Sequence, residues 1–223
     1  MLKKLLLTTV AVAALVSPAF ADTITMTAKV DGITAALESS PNGNLDVTAQ
    51  TFGTGFLFNT ITATSQQFIG PTGVLTTNSV DVGTALSGSH TLTIDITAFG
   101  LLGTDSLQAF LSSFSVTKLT DGWTAREQTF INGVQLADTG VFTVTADSAF
   151  STNLANMTNP FNAEVLYTIT SNGAGRFNGG VDIDVAQAVP ELGTWGMMLL
   201  GFAGVGGLAM RKRRQGAAQL RLA

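Results

Sequence analysis

Few residues in this chain have the chemistry to act on another molecule. Cysteine is absent and His90 is the one histidine, so thiol nucleophiles and thiolate metal sites are excluded and a classical zinc hydrolase centre is not expected. A Ser-His-Asp triad would need His90 to touch a serine and a carboxylate together. Ser89 is its neighbour in sequence, which on a strand points it to the opposite face, and no Gly-x-Ser-x-Gly elbow occurs. His90 therefore reads as a polar residue at a strand end. Glycoside hydrolysis needs two carboxylates across a cleft. Glu38, Glu127, Glu164 and the aspartates could supply them, but no spacing selects a pair. The expectation is a protein that is not an enzyme and takes no cofactor.

Two binding chemistries remain. Asp182 and Asp184 project from one face of a strand two residues apart, where hard oxygen ligands can share a calcium ion. The run Asn178-Gly179-Gly180-Val181-Asp182 has a partial glycine-aspartate turn pattern, and Asn42-Gly43-Asn44-Leu45-Asp46 alternates oxygen donors without the glycine and distal glutamate of an EF-hand. A solvated strand face and a hairpin turn are the simpler and favoured account of both. Trp123 follows the Asp121-Gly122 turn, where an indole can stack on a sugar ring or pack into a core. Arg126 and Glu127 beside it suggest a surface ion pair of little energetic weight.

These residues must be positioned by strands. Leu92 to Ala98, Ile24 to Val30 and Val181 to Val185 alternate apolar and polar at period two, each burying one face. Phe142 with Val144, and Val165 with Tyr167 and Ile169, continue the pattern. Phe56 to Thr62 and Phe110 to Val116 read as strands buried more completely. Threonine fills many polar positions, as suits a β-branched residue on a pleated surface. Turn dipeptides punctuate the runs at Asp31-Gly32, Asn42-Gly43, Asp121-Gly122, Asn132-Gly133, Asn172-Gly173 and Asn178-Gly179. Ser151 to Met157 alone hints at a helix, with Ser151 as its cap. The predicted fold is all-β: an antiparallel β-sandwich of jelly-roll or immunoglobulin-like type over residues 22–188. That segment holds Lys29, Lys118, Arg126 and Arg176 against fourteen acids, a net charge of −10. Such a surface repels nucleic acid, which is excluded as a partner, and tolerates neutral polysaccharide.

Both ends carry processing signals. Lys3 and Lys4 precede an apolar core from Leu5 to Val16, and Ala19-Phe20-Ala21 places small residues where signal peptidase reads them, so residues 1–21 are expected to be removed before Asp22. From Leu192 to Met210 no residue is charged, a helical length of about 28 Å, enough to span a thin bilayer. Arg211-Lys212-Arg213-Arg214 follows and fixes the cytoplasmic side, placing Trp195 at the outer interface and residues 215–223 inside. The glycines of this segment make it a poor permanent anchor.

The tail resembles the PEP-CTERM sorting domain of Gram-negative bacteria. Pro190-Glu191, Trp195, the run Met197 to Phe202, Gly204 and the Arg211, Lys212, Arg213, Arg214 cluster carry the likeness over residues 189–214. Leu192 replaces the family's second proline and Gly196 its alanine. The resemblance implies recognition by exosortase, cleavage near the Pro-Glu element, transient residence in the inner membrane, and delivery to the cell surface or outside. It also implies glycans on a Ser/Thr-rich body, here with clusters at Ser39-Ser40, Thr76-Thr77 and Ser112-Ser113. The expected function is a surface or matrix protein, structural or adhesive, associated with exopolysaccharide or biofilm. The alternative is a secreted polysaccharide-binding module, with a polysaccharide-active enzyme behind it.

Overall fold

A computed structural model of the protein describes residues 23–52, 55–66, 73–103, 106–145 and 147–185. The expected signal peptide with its cleavage site before Asp22, the expected sorting signal at 189–214 and the extension at 215–223 lie outside the described residues. Among those described are β1 (Thr23–Val30), β2 (Ile33–Ser40), β3 (Asn44–Phe52), β4 (Phe56–Ser65), β5 (Gly73–Thr84), β6 (Ser89–Leu101), β7 (Ser106–Leu119), β8 (Thr124–Ile131), β9 (Val134–Asp138), β10 (Asp147–Met157), β11 (Phe161–Asn172) and β12 (Gly175–Val185). They form two antiparallel six-stranded sheets, ordered β2-β1-β6-β11-β8-β9 (sheet A) and β10-β7-β12-β5-β4-β3 (sheet B). From β5 onward the chain changes sheet at every connection except the β8–β9 hairpin.

Period-two patterning drives this arrangement. Leu92, Ile94, Ile96 and Ala98 of β6 are buried beside Ile24, Met26, Ala28 and Val30 of β1, while Thr93 and Asp95 turn outward. A one-residue slip would reverse both strands, so the buried face fixes the register. Phe110 and Phe114 of β7 point inward with Ser113 and Ser115 outward, and Phe56 and Phe58 of β4 flank an exposed Leu57. Both strands thus bury one face, not two as their composition suggests. The β1–β2 and β8–β9 hairpins turn on Asp31-Gly32 (φ 51° and 80°) and Asn132-Gly133 (φ 50° and 74°). Positive φ at both central positions is what the tight hairpin turn requires.

Three local expectations are corrected. Ser151 to Met157 is not helical. It belongs to β10, whose ladder with β7 runs unbroken from Asp147 opposite Val116 to Met157 opposite Ser106. Long-range pairing overrides the local cap signal there. Asn178-Gly179 is no turn but lies inside β12, and Phe142 makes an isolated bridge to Ala125, with Val144 outside any strand.

The inner faces share one apolar cluster that includes Trp123, Tyr167, Phe56, Phe58, Phe110, Phe161 and Phe177. Each large apolar side chain fully buried contributes about 1.5–3 kcal/mol. Two polar links cross it: Ser112 Oγ lies 2.7 Å from Thr129 Oγ1, and Thr77 is hydrogen-bonded to the Tyr167 hydroxyl. Tyr167 also meets Phe177 edge-on at 6.2 Å. Thr77 and Ser112, read from sequence as part of Ser/Thr clusters open to glycans, are therefore core residues.

Candidate functional site

The outer face of sheet B carries a groove. Thr51, Leu57, Gly83 and Arg176 stand in register across β3, β4, β5 and β12. With Gly55, Asn59, Thr84, Ala85 and Gly175 they line an open cavity of about 500 Å³. Gly83 is its floor: a β-carbon there would rise into the groove 3.2 Å from the Gly175 carbonyl and 3.8 Å from the Asn59 amide. Thr84 closes one end by donating to the Gly55 carbonyl at 3.0 Å and accepting the Leu86 amide at 3.1 Å.

Beside this floor the polar groups are held rigid. Asp81, 5% exposed, accepts Arg176 Nε at 2.6 Å on Oδ1 and Arg176 Nη2 on Oδ2, with Asn59 Nδ2 at 3.2 Å from Oδ1. A bulge between Phe58 and Thr60 leaves Asn59 without a ladder partner on β5, and re-aims its side chain so that Nδ2 meets the carboxylate. Burial pushes the Asp81 pKa up, but hydrogen bonds from Arg176, Asn59 and Asn178 and the nearby guanidinium charge outweigh it, and the net shift is downward. The Arg176 backbone is fixed in turn: its N–H donates to Thr120 Oγ1 at 2.8 Å and its carbonyl accepts the Thr120 N–H at 3.1 Å. The outcome is a planar fork, a carboxylate and an amide in fixed positions beside a groove floored by Gly83. Such a surface can exchange hydrogen bonds with a polyhydroxylated ligand.

A second unusual group lies inside the sandwich. Glu127 is fully buried on β8, opposite Tyr167 of β11. Among the described residues neither carboxyl oxygen meets a hydrogen-bond partner. Burial raises its pKa to about 9, so at neutral pH it is a neutral acid. An unpaired neutral polar group costs about 1–3 kcal/mol to bury, whereas an ionised one would cost far more. Protonation is the cheaper solution. Across the sandwich Gly179 makes room for it: a β-carbon at that position would lie 2.6 Å from Phe177 Cζ and 2.8 Å from both Glu127 Oε1 and the Ser115 carbonyl.

The residues singled out from sequence are scattered. Trp123 is 1% exposed and donates its indole N–H to the Gly173 carbonyl at 3.2 Å; it packs the core and offers no stacking face. The Arg126–Glu127 surface pair does not exist. Adjacent residues face opposite ways on β8, so Arg126 instead forms a bidentate pair with Asp138 of β9. Asp182 and Asp184 share the outer face of β12, and burial followed by the charge of Asp182 raises the Asp184 pKa. No third ligand joins them: among the described residues no three of His, Asp and Glu gather as a metal site would require. Glu164 on the outer face of β11 is likewise raised by burial and by Asp95. His90 places Nδ1 2.8 Å from Asp31 Oδ2 and Nε2 3.2 Å from the Ser87 carbonyl. Both partners are acceptors, so both ring nitrogens donate and the imidazolium form is favoured, in line with its raised pKa. Neither nitrogen is free to act as a base. Ala19, Ala21, Pro190, Glu191, Trp195, Arg211, Lys212, Arg213 and Arg214 lie outside the described residues.

Sequence reasoning missed Asp81, Asn59 and Arg176, which come from the neighbouring strands β4 and β5 and from the distant β12. It also missed the inward direction of Glu127, for which a signal exists: Ala125, Glu127, Thr129 and Ile131 share one parity, and the three others are compatible with a core.

No protein-family model matches the chain, and no curated protein is similar to it in sequence. Among solved structures it is similar to the GH26-CBM35 β-(1,4)-mannanase of Podospora anserina, at 14% identity over 67% of this chain and 29% of that one, with a TM-score of 0.29. It is also similar to CBM35 of Paenibacillus barcinonensis, at 17% identity over 65% of this chain and 99% of that one, TM-score 0.25. A third is the GH31 α-xylosidase of Xanthomonas citri, at 4% identity over 73% of this chain and 18% of that one, TM-score 0.27. The chain therefore spans under a third of each of the two enzymes. Likenesses at these TM-scores transfer neither fold nor ligand.

Proposed function

We propose that the domain is a non-catalytic module that binds neutral polysaccharide in the outer groove of sheet B. On this reading it serves an exported protein whose C-terminal segment acts as a PEP-CTERM-like sorting signal for exosortase. The observation that carries the binding reading is the fixed Asp81–Arg176–Asn59 cluster beside the Gly83 floor. With Nε and one Nη2 proton of Arg176 held by Asp81, the Nη1 protons, the second Nη2 proton and Asn59 Oδ1 remain for sugar hydroxyls, beside a floor where Gly83 carries no side chain. Charge favours a neutral ligand: Arg176 is balanced by Asp81, and a domain of net charge −10 repels polyanions. A polysaccharide-binding role is consistent with a surface or matrix location, and structural or adhesive behaviour would follow from holding exopolysaccharide.

The finer fold assignment belongs to the same reading. The orders β10-β7-β12-β5 and β6-β11-β8-β9, with sheet changes at all but one connection, support the eight-stranded jelly roll over the immunoglobulin-like sandwich. On this assignment β1 and β2 extend one sheet and β3 and β4 the other.

Affinity electrophoresis through gels containing neutral glucans, mannans, xylans or galactans, beside alginate, tests the ligand class. Retardation by at least one neutral polymer and loss of that retardation in Arg176→Ala are expected. Retardation by alginate alone, or equal retardation of the variant, would remove the proposal. Intact-mass analysis of membrane and extracellular fractions tests the sorting reading separately. A species that begins at Asp22 and ends near Glu191 supports it, and a tail intact to Ala223 in the inner membrane refutes it.

A further inference from the structure

The four sheet edges are not alike. β9 is five residues long, has a register shift against β8 and ends in the Arg126–Asp138 pair. β2 has a bulge against β1 and carries Glu38. β3 is interrupted by Ala49 at φ 53° and carries Asp46. Bulges, brevity and charge are the devices that keep an edge from pairing with another chain. β10 has none of them over its 11 residues. It contains no Pro, Lys or Arg, Asp147 at one end is its sole charge, and its ladder with β7 shows no register shift. Among the described residues its ladder is with β7 alone, and the Asn153 amide reaches under the edge to donate to the Leu136 carbonyl of β9. Phe150 is 81% exposed and Leu154 64%, and both stand on the outer face.

We infer that β10 is an interface between two copies of this chain, which pair antiparallel through this edge to join two B sheets. The strand is self-complementary under a twofold axis at Thr152. Phe150 then lies opposite Leu154 of the second copy, Leu154 opposite its Phe150, and Ser148 opposite Asn156. Opposed aromatic and aliphatic residues are favourable cross-strand pairs. The Phe150–Leu154 match selects a second copy as the occupant, and charge selects the place. Two domains of net charge −10 repel each other, and this edge is where they meet with the least charge: the outward residues of β10 and the facing Leu107, Ala109, Leu111 and Ser113 of β7 are all neutral. The two Asp147 side chains fall at opposite ends of the new ladder. The paired edge is about 36 Å long, and an isologous contact of this kind closes at the dimer.

The chain has no cysteine, which makes the test direct. Thr152→Cys and, as a control on β3, Thr48→Cys are made in the full-length chain and oxidised gently at several concentrations. Disulfide-linked dimer is expected from Thr152→Cys, at least tenfold more than from Thr48→Cys, and is lost when Phe150→Glu and Leu154→Glu are added. Circular dichroism checks that the triple variant remains folded; if it does not, Leu154→Ser alone takes its place. Equal cross-linking at both positions, none at Thr152→Cys, or dimer that survives loss of the outward apolar pair overturns the inference. A monomer whose β10 binds an unrelated strand would fall among these negative results.

Discussion

Glu127 and Asp81 occupy opposite sheets and are shielded from water almost equally, at 0% and 5% exposure, yet their acidities move in opposite directions. Glu127 meets no partner, and burial alone lifts it to about 9. Asp81 is desolvated too, though less deeply, and Arg176, Asn59 and Asn178 supply donors, so its pKa falls below 3.8. Burial decides the cost of a charge; a cation within reach decides whether the charge survives. The consequence is a division of labour. The core holds an acid kept neutral and out of solvent, whereas the groove holds an ionised cluster whose guanidinium is half-open to solvent.

The largest expected effect breaks the accommodation around Glu127. Gly179→Ala places a β-carbon within 2.8 Å of the Ser115 carbonyl and Glu127 Oε1. Backbone cannot move aside cheaply, so a loss of about 3 kcal/mol is expected, at the upper end for overpacking. Thermal unfolding measures it, and an unchanged midpoint would mean that the two sheets are not packed this closely.

Next in size is the carboxyl itself. Glu127→Leu removes two unsatisfied oxygens and should stabilise the domain by about 1–3 kcal/mol near pH 5, and by more as the pH rises. The wild type should also show a slope that the variant lacks. The folded state holds a proton that the unfolded state releases above its ordinary value of 4.5. This contribution is full below that value and is lost as pH rises towards about 9, by up to about 1.4 kcal/mol per pH unit. Denaturant unfolding at pH 5, 7 and 9 reads it, and parallel curves for the two proteins would rule out a neutral Glu127.

Arg176→Ala sharpens the other side of the comparison. It should weaken retention on neutral polysaccharide tenfold or more and leave Asp81 without its cation. Because the folded-state pKa of Asp81 is depressed, its contribution is present above pH 3.8 and lost on acidification, and the variant should lose that acid limb. Smallest of all is His90→Gln. Its raised pKa arises from the Asp31 hydrogen bond at an exposed site, so the benefit, present below 6.5 and lost above the folded-state value, should be barely visible in unfolding at pH 5.5 compared with pH 8.

The contrast between the two regions also marks how far the sequence could be read. Strand parity was legible wherever apolar residues alternate with threonine, as in β1, β6 and β12, and the two hairpins built on Asp31-Gly32 and Asn132-Gly133 followed from turn chemistry. β10 was misread because Ser151 and Leu154 imitate a capped helical turn and pairing to β7 has no local signature. Arg126-Glu127 looks like solvated surface in one dimension; only the register of β8 between β11 and β9 separates the two side chains. The groove was illegible for a different reason. Its rank at Thr51, Leu57, Gly83 and Arg176 exists only once four strands are aligned, and a glycine floor has no chemistry to notice until a neighbouring backbone approaches it.

The most direct test of the division between core acid and proposed binding cluster is an amide chemical-shift titration of the folded protein with neutral hexasaccharides of glucose, mannose, xylose and galactose. At least one should shift Leu57, Asn59, Gly83, Gly175 and Arg176 while leaving Ala125 to Thr129 unmoved. Shifts confined to the outer face of sheet A, or none with any of the four, would contradict the assignment of the groove.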